Sequence, residues 1–279
     1  MINIGVLVEN SAISNWHGRE HGLSLHIKTN NYNMLFDFGQ SRIFIHNAGL
    51  MGIDLADVDI AFLSHGHYDH GGGIKHFIEL NDKAFIYINH LALRKFYSMK
   101  KNGQLRYIGL ENFQNKERFI LCGNYLRVNE EVEIFCCRKR KEYFPYFNKI
   151  LFEWKDSRTV KDSFFHEQNI IVENDGISVL LAGCAHAGIL NILECYKELK
   201  NSYPDYVIGG FHLCNPHEDE SESEDIVEEI AKKLSNGVTE YYTGHCTGDK
   251  AYGVLKRILK NKINKLSSGM NFELKGKYE

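Results

Sequence analysis

The sequence predicts an α/β protein in which strands and helices pack in layers, and three observations carry that expectation. In the C-terminal half, short apolar runs end in small residues and lead into segments with helical apolar spacing, several times over. In the N-terminal half, apolar runs either alternate with period two or stand as short blocks, as half-buried and buried strands do. The chain has 279 residues, 43% of them hydrophobic and 25% charged. A chain of that length can bury about three-quarters of its extended surface, so a large core needs no staples.

In order, Ile2 to Val8 is an apolar run, Leu23 to Ile27 alternates, and Met34-Leu35-Phe36 leads into Asp37-Phe38-Gly39. Ser41 can cap a helix running to about Met51. Ile60 to Leu63 reads as a buried strand that stops at a polar, glycine-rich turn from Ser64 to Gly73. A short helix from Ile74 to Leu80 and a strand from Ala84 to Ile88 follow. Residues from about 90 to 165 are less periodic and rich in Lys, Arg, Tyr and Phe, which suits an insertion or lid within a single domain. Its aromatics Tyr107, Tyr143, Phe144, Tyr146 and Phe147 are candidate substrate contacts, although packing within the insertion would use the same residues.

Further on, strands at Ile177–Leu181, Tyr206–Ile208 and Thr239–Tyr242 each precede a helix, at Gly188–Leu199, Asp225–Leu234 and Ala251–Leu259. Charge runs at Arg138–Lys141 and Glu218–Asp225 read as solvated surface, the second leading into a helix whose first turn favours carboxylates.

Net charge is −3, which disfavours a dedicated nucleic-acid binder. No run of eighteen apolar residues suggests a membrane span. The start lacks a basic region followed by an apolar stretch, and the 7 cysteines contain no Cys-x-x-Cys pair. Together these features suggest reduced thiols and a cytoplasmic protein.

The 14 histidines carry the functional argument. His65 and His67 are two apart, so an extended segment points both to one side. Asp69 and His70 follow in a tighter turn and can face a second point. Neutral imidazoles and a carboxylate suit zinc, ahead of iron or manganese. One histidine in a polar loop would mean little. Three histidines and an aspartate within six residues, at a strand end before a glycine run, offer ligands to two divalent cations. His186, His212 and His245 each follow a strand and sit beside glycine. Strand ends in such a sheet share an edge, where sites form. Cys184, Cys214 and Cys246 flank these histidines, and buried packing is the commonest role of such a cysteine.

The segment Ser64 to Gly71 resembles the His-x-His-x-Asp-His signature of the metallo-β-lactamase superfamily. The resemblance covers nearly the whole chain and implies a four-layer αββα sandwich with an inserted lid. It implies that Asp37 steadies the metal loop without touching metal, that His65, His67 and His186 bind a first cation, and that His245 binds a second with Asp69 and His70. Glu20 to Leu25, Gly183 to Asn191, Gly209 to Leu213 and Thr243 to Gly248 are similar to a narrower group. That group holds the dihydropterin–ribofuranosylaminobenzene-phosphate synthases and many bacterial metal-dependent hydrolases. The superfamily's bridging aspartate is missing: Gly209-Gly210 stand there, and no carboxylate follows until Glu218. His212 is the first substitute and Cys214 the second, with His212 expected as a terminal ligand on the second cation's side or as a partner of a substrate oxygen. Asp69 and His212 are the candidates for direct work on the substrate.

The expected activity is metal-dependent hydrolysis or group transfer on an anionic small molecule, phosphorylated or pterin-like. Two other classes stay open: a diiron redox protein, which would usually carry a carboxylate where His67 stands and a flavodoxin-like domain after the core, and a non-catalytic metal or ligand sensor.

Overall fold

Alternation along the strands decides how the layers stack. In the strand Ile2–Val8, Ile2, Ile4 and Val6 face one way into a core shared with Ile170, Val172, Val179 and Leu181, while Leu7 and Val8 join a different cluster. The computed structural model describes residues 1–113, 116–215, 218 and 220–276. It contains two seven-stranded sheets. The first runs in the order Asn271–Leu274, Ile2–Val8, Ser24–Lys28, Asn33–Phe36, Ile60–Leu63, Phe85–Asn89 and Phe119–Cys122. The second runs Ile263–Lys265, Glu240–Thr243, Tyr206–Gly209, Ile177–Ala182, Asn169–Asn174, Val132–Phe135 and Tyr125–Arg127.

The sheets pack face to face through residues such as Ile4, Leu25, Phe36 and Phe62 on one side and Ile134, Ile170, Leu181 and Ile208 on the other. The outer face of the first sheet, with Leu35, Ala61, Leu63 and Ile86, receives the helices Ile43–Leu50 and Ile74–Leu80 through Phe44, Ile74 and Phe77. The outer face of the second, with Ile171, Leu180, Val207 and Tyr241, receives Ile189–Lys200, Glu224–Ser235 and Asp249–Leu259. In the middle helix of these, Val227, Ile230, Ala231 and Leu234 make the apolar stripe, at the spacing a helix needs to bury one face. The result is the four-layer αββα order.

Three details differ from the sequence reading. The first helix takes Arg42 as its N-cap; the Ser41 hydroxyl accepts the Ile43 N–H at 3.3 Å but also donates to Glu20 at 2.6 Å. Cys137 and Cys195 form a disulfide, which corrects the expectation of seven reduced thiols. The stretch 90–165 has two parts. Phe119–Cys122, Tyr125–Arg127 and Val132–Phe135 complete the edges of the two main sheets, while Arg158–Lys161, Leu151–Lys155, Phe96–Met99 and Leu105–Tyr107 form a separate antiparallel sheet. The edge strands are three or four residues long, too short for their periodicity to stand out among charged neighbours.

The charge runs are used locally. Arg138 lies over the Phe165 ring, and Arg140 donates to backbone carbonyls of Cys137, Lys139 and Ser163. Glu218 and Glu220 pair with Lys101 of the separate sheet, at 3.0 and 3.3 Å; Asp219 of that run lies outside the described residues. No helix among the described residues is long and apolar enough to cross a membrane.

Candidate metal centre

Asn33–Phe36 runs parallel to Ile60–Leu63, and Ile177–Ala182, Tyr206–Gly209 and Glu240–Thr243 are mutually parallel. Their C-terminal ends deliver Asp37, the turn from Ser64, and the segments holding His186, His212 and His245 to one place. Close approach there depends on glycine. A Cβ on Gly183 would overlap the Ser64 hydroxyl, and one on Gly209, at φ +145°, would overlap the Ala182 carbonyl oxygen.

Asp37 is fully buried and organises the turn. One carboxylate oxygen accepts the Ser64 N–H at 2.7 Å; the other accepts the Ser64 hydroxyl at 2.7 Å and His70 Nδ1 at 2.6 Å. Because Ser64 Oγ donates to Asp37, it accepts the proton of His65 Nδ1 at 2.8 Å. Both imidazoles therefore carry a proton on Nδ1, which leaves Nε2 as the atom each can turn to a cation. Distant oxygens do the same for two more. Asn148 donates its amide to the His186 carbonyl and accepts His186 Nδ1 at 2.9 Å. Asn10 Oδ1 accepts His245 Nδ1 at 3.0 Å, and Glu9 accepts the His245 N–H at 2.6 Å.

The lone pairs converge in two neighbouring clusters. His65, His67 and His186 form the first, their ligand atoms all within 4.8 Å of one another. Asp69, His70, Cys184 and His245 form the second, within the same limit. In that cluster His70 Nε2 lies 3.1 Å from His245 Nε2, and Asp69 Oδ2 lies 3.3 Å from His245 Nε2 and 3.6 Å from His70 Nε2. Among the described residues, Nε2 of His65, His67 and His186 and both ring nitrogens of His212 are buried with no hydrogen-bond partner.

The electrostatics differ between the two clusters. Burial, with repulsion from neighbouring imidazoles, holds His65 and His186 well below the usual histidine range, so both are neutral. Burial alone would lower His70 too, but Asp37 and Asp69 outweigh it and push its pKa up to about 9 in the metal-free protein. Burial would raise Asp69, yet His70, His21 and His245 hold it well below the carboxylate range.

His212 does not join the second cluster; it lines the cleft beside the first. Its ring packs on His186, with centroids 4.1 Å apart, and it groups with Cys184 and His186 rather than with Asp69, His70 and His245. Its φ is +50°, so the turn after Gly209-Gly210 carries it to the first cluster's side. Cys214 lines the cleft and belongs to neither cluster among the described residues.

Several contributors escaped the sequence reading. Cys184 lies among Asp69, His70 and His245 and is not packing alone. His21 Nε2 lies 3.2 Å from Asp69 Oδ2. Asp162 pairs with His166 at 3.1 Å and lies 3.9 Å from His67 Nε2, while His166 Nδ1 accepts the Gly66 N–H at 3.0 Å. Nothing local marks Asn10, Asn148 or Asp162 as site residues; only the strand-then-histidine rhythm was visible.

Above both clusters lies a cleft open to solvent. One wall comes from the separate sheet and its connections: Ser98, Arg106, Ile108, Phe147, Ile150 and Leu151. The turn from Ser64 to Gly73 is tied to that wall by the Tyr68 N–H, which donates to the Ile108 carbonyl at 2.9 Å. Of the five aromatics singled out in the insertion, Phe147 lines the cleft. Tyr107 bonds the Leu110 carbonyl, Tyr143 bonds Glu222, Phe144 packs edge-on against Phe164, and Tyr146 lies under Lys149.

Three buried Nε2 atoms without a partner, those of His65, His67 and His186, lie within 4.8 Å of one another, and a second set of two imidazoles, a thiol and a carboxylate adjoins them, so the residues present fit divalent metal. A fold of this layering with this histidine set is that of a metal-binding hydrolase-like protein, and the chain belongs to the metallo-β-lactamase superfamily, whose family model matches residues 17–186. Among its relatives, the uncharacterized protein MJ0448 of Methanocaldococcus jannaschii is 29% identical over 91% of this chain and 94% of its own length. The 7,8-dihydropterin-6-methyl-4-(β-D-ribofuranosyl)-aminobenzene-5'-phosphate synthase of the same organism is 26% identical over 90% of this chain and 88% of its own. The crystal structure of Tm1679, a metal-dependent hydrolase of the β-lactamase superfamily, superimposes with a TM-score of 0.83 at 29% identity, covering 99% of this chain and all of that one.

Proposed function

We propose that this chain is a metal-dependent enzyme acting on a small phosphorylated molecule that carries a flat ring. The observation that supports it most is the convergence of oriented Nε2 lone pairs in two adjacent clusters at the floor of one cleft. His65, His67 and His186 would hold one divalent cation, and Asp69, His70 and His245 a second, zinc ahead of iron or manganese. When bound, such ions acidify water and polarise a phosphoryl or ester oxygen.

The protein's own residues supply the rest. Arg106 brings a guanidinium to the cleft wall, a fixed fork suited to phosphate. Ile108, Phe147, Ile150 and Leu151 give that wall an apolar face that excludes water and suits a planar ring. His212 has a ring nitrogen to offer a substrate oxygen. Asp69, held ionised by His21, His70 and His245, fixes the second cluster. The synthase relative is named for a dihydropterin and a ribosyl 5'-phosphate, and that pairing of ring and phosphate matches a wall with an arginine among apolar side chains. Hydrolysis and group transfer use the same floor.

Metal-free protein reloaded with zinc, iron or manganese is to be assayed on a generic phosphodiester and on phosphorylated pterins. Turnover should appear on loading and vanish on chelation. Arg106→Leu should raise KM for phosphorylated substrates about tenfold or more, the loss of one charge-assisted contact, with metal content unchanged. A protein that takes up no metal in excess ion would overturn the proposal.

A further inference from the structure

We infer that Cys184 supplies a thiolate ligand to the second cation, completing a four-residue set with Asp69, His70 and His245. The inference rests on the metal-centre reading above and adds a ligand that the motif pattern does not contain.

The argument begins with distances. Cys184 is buried, and its Sγ lies 3.2 Å from His70 Nε2. Ligand atoms about 2.0–2.3 Å from a tetrahedral zinc lie about 3.3–3.6 Å from one another. The separations in the set are 3.1 Å for His70–His245, 3.2 Å for His70–Cys184, 3.3 Å for Asp69–His245 and 3.6 Å for Asp69–His70. A proton on His70 Nε2 accounts for less: it serves His245 Nε2, the Cys184 sulfur or Asp69, one at a time, whereas a cation engages all of them at once.

Charge points the same way. With Gly209-Gly210 where a bridging carboxylate would stand, Asp69 is the one carboxylate of the set. A buried divalent cation with a single negative charge beside it is poorly compensated. A thiolate brings the second charge, and a coordinating thiol is deprotonated outright. Cys246 is engaged otherwise: its sulfur accepts the His212 N–H at 3.3 Å and reaches the Cys184 carbonyl at 3.5 Å. A sulfur ligand also shifts the site's preference toward zinc, cobalt and cadmium and away from manganese.

The test loads metal-free protein with cobalt(II) and reads the near-ultraviolet thiolate-to-cobalt charge-transfer absorption. Wild type should show it at the second equivalent bound. Cys184→Ser should abolish it and weaken that equivalent at least about 100-fold, beyond the usual effect of an outer partner. Cys246→Ala and Cys214→Ala should keep it. Two bound cobalt ions without the absorption would overturn the thiolate ligand and leave the metal centre standing. An absorption that survives Cys184→Ser would overturn it as well, and absence of any cobalt binding would overturn both readings. Cadmium NMR on the unaltered protein gives an answer independent of the variant's folding: a resonance shifted toward one-sulfur coordination supports the ligand, and one at an all-nitrogen-and-oxygen position refutes it.

Discussion

Replacing Asp37 by asparagine tests whether a residue outside both clusters sets the metal affinity. Asparagine keeps the volume, and it tolerates the φ of +58° that Asp37 adopts. Three donors reach the carboxylate: the Ser64 N–H, the Ser64 hydroxyl and His70 Nδ1–H, at 2.6 to 2.7 Å. An amide offers them one oxygen and one NH₂. If the oxygen keeps the Ser64 N–H, the NH₂ faces His70 Nδ1 and accepts no proton. His70 must then present its Nδ1 lone pair and move its proton to Nε2, the atom that faces His245 and Cys184. Losing one charge-assisted bond costs about 1.5–3 kcal/mol, equivalent to about a 10- to 150-fold fall in affinity. Competition titration of the metal-free variant against a chromophoric zinc chelator would measure it. The second equivalent should weaken by that factor and the first by much less. An affinity for both ions within twofold of wild type, in a variant that melts normally, would refute the tautomer argument.

Asn148→Ala should act on the other cluster, since it frees the His186 ring and leaves the second cluster intact; the first equivalent should weaken about 10–100-fold in the same titration. A metal-free protein should also show His70 in its pH dependence. The folded pKa of about 9 lies above the ordinary value of 6.5, so the stabilisation is complete below about pH 6.5 and is lost as pH rises through 9. The shift corresponds to about 3 kcal/mol. Measured as the difference in urea unfolding between wild type and His70→Gln under chelation, it should shrink across that interval; a difference that grows would contradict the assignment. Metal affinity should rise over the same interval, because His70 must lose its proton to bind.

Much of the fold was legible because it is written in short-range periodicity. Alternation in Leu23–Ile27, the block Ile60–Leu63 and the helical spacing of Ile226, Ile230 and Leu234 each follow from a few neighbouring residues, and the layers follow from which faces must be buried. The core of the candidate site was legible for the same reason. His65, His67, Asp69 and His70 lie within six residues, and His186 and His245 repeat one context, a strand followed by a turn. What the sequence could not supply is the direction of each lone pair and the company of each ring. Those depend on Asn148, 38 residues from His186, on Asn10, 235 residues from His245, and on the turn that carries His212 toward His186 instead of His70. Cys184 becomes more than packing only once His70, from the other sheet, lies 3.2 Å from its sulfur. A strand's face is decided by its own residues; a hydrogen bond between segments 38 to 235 residues apart is decided only when the chain closes on itself.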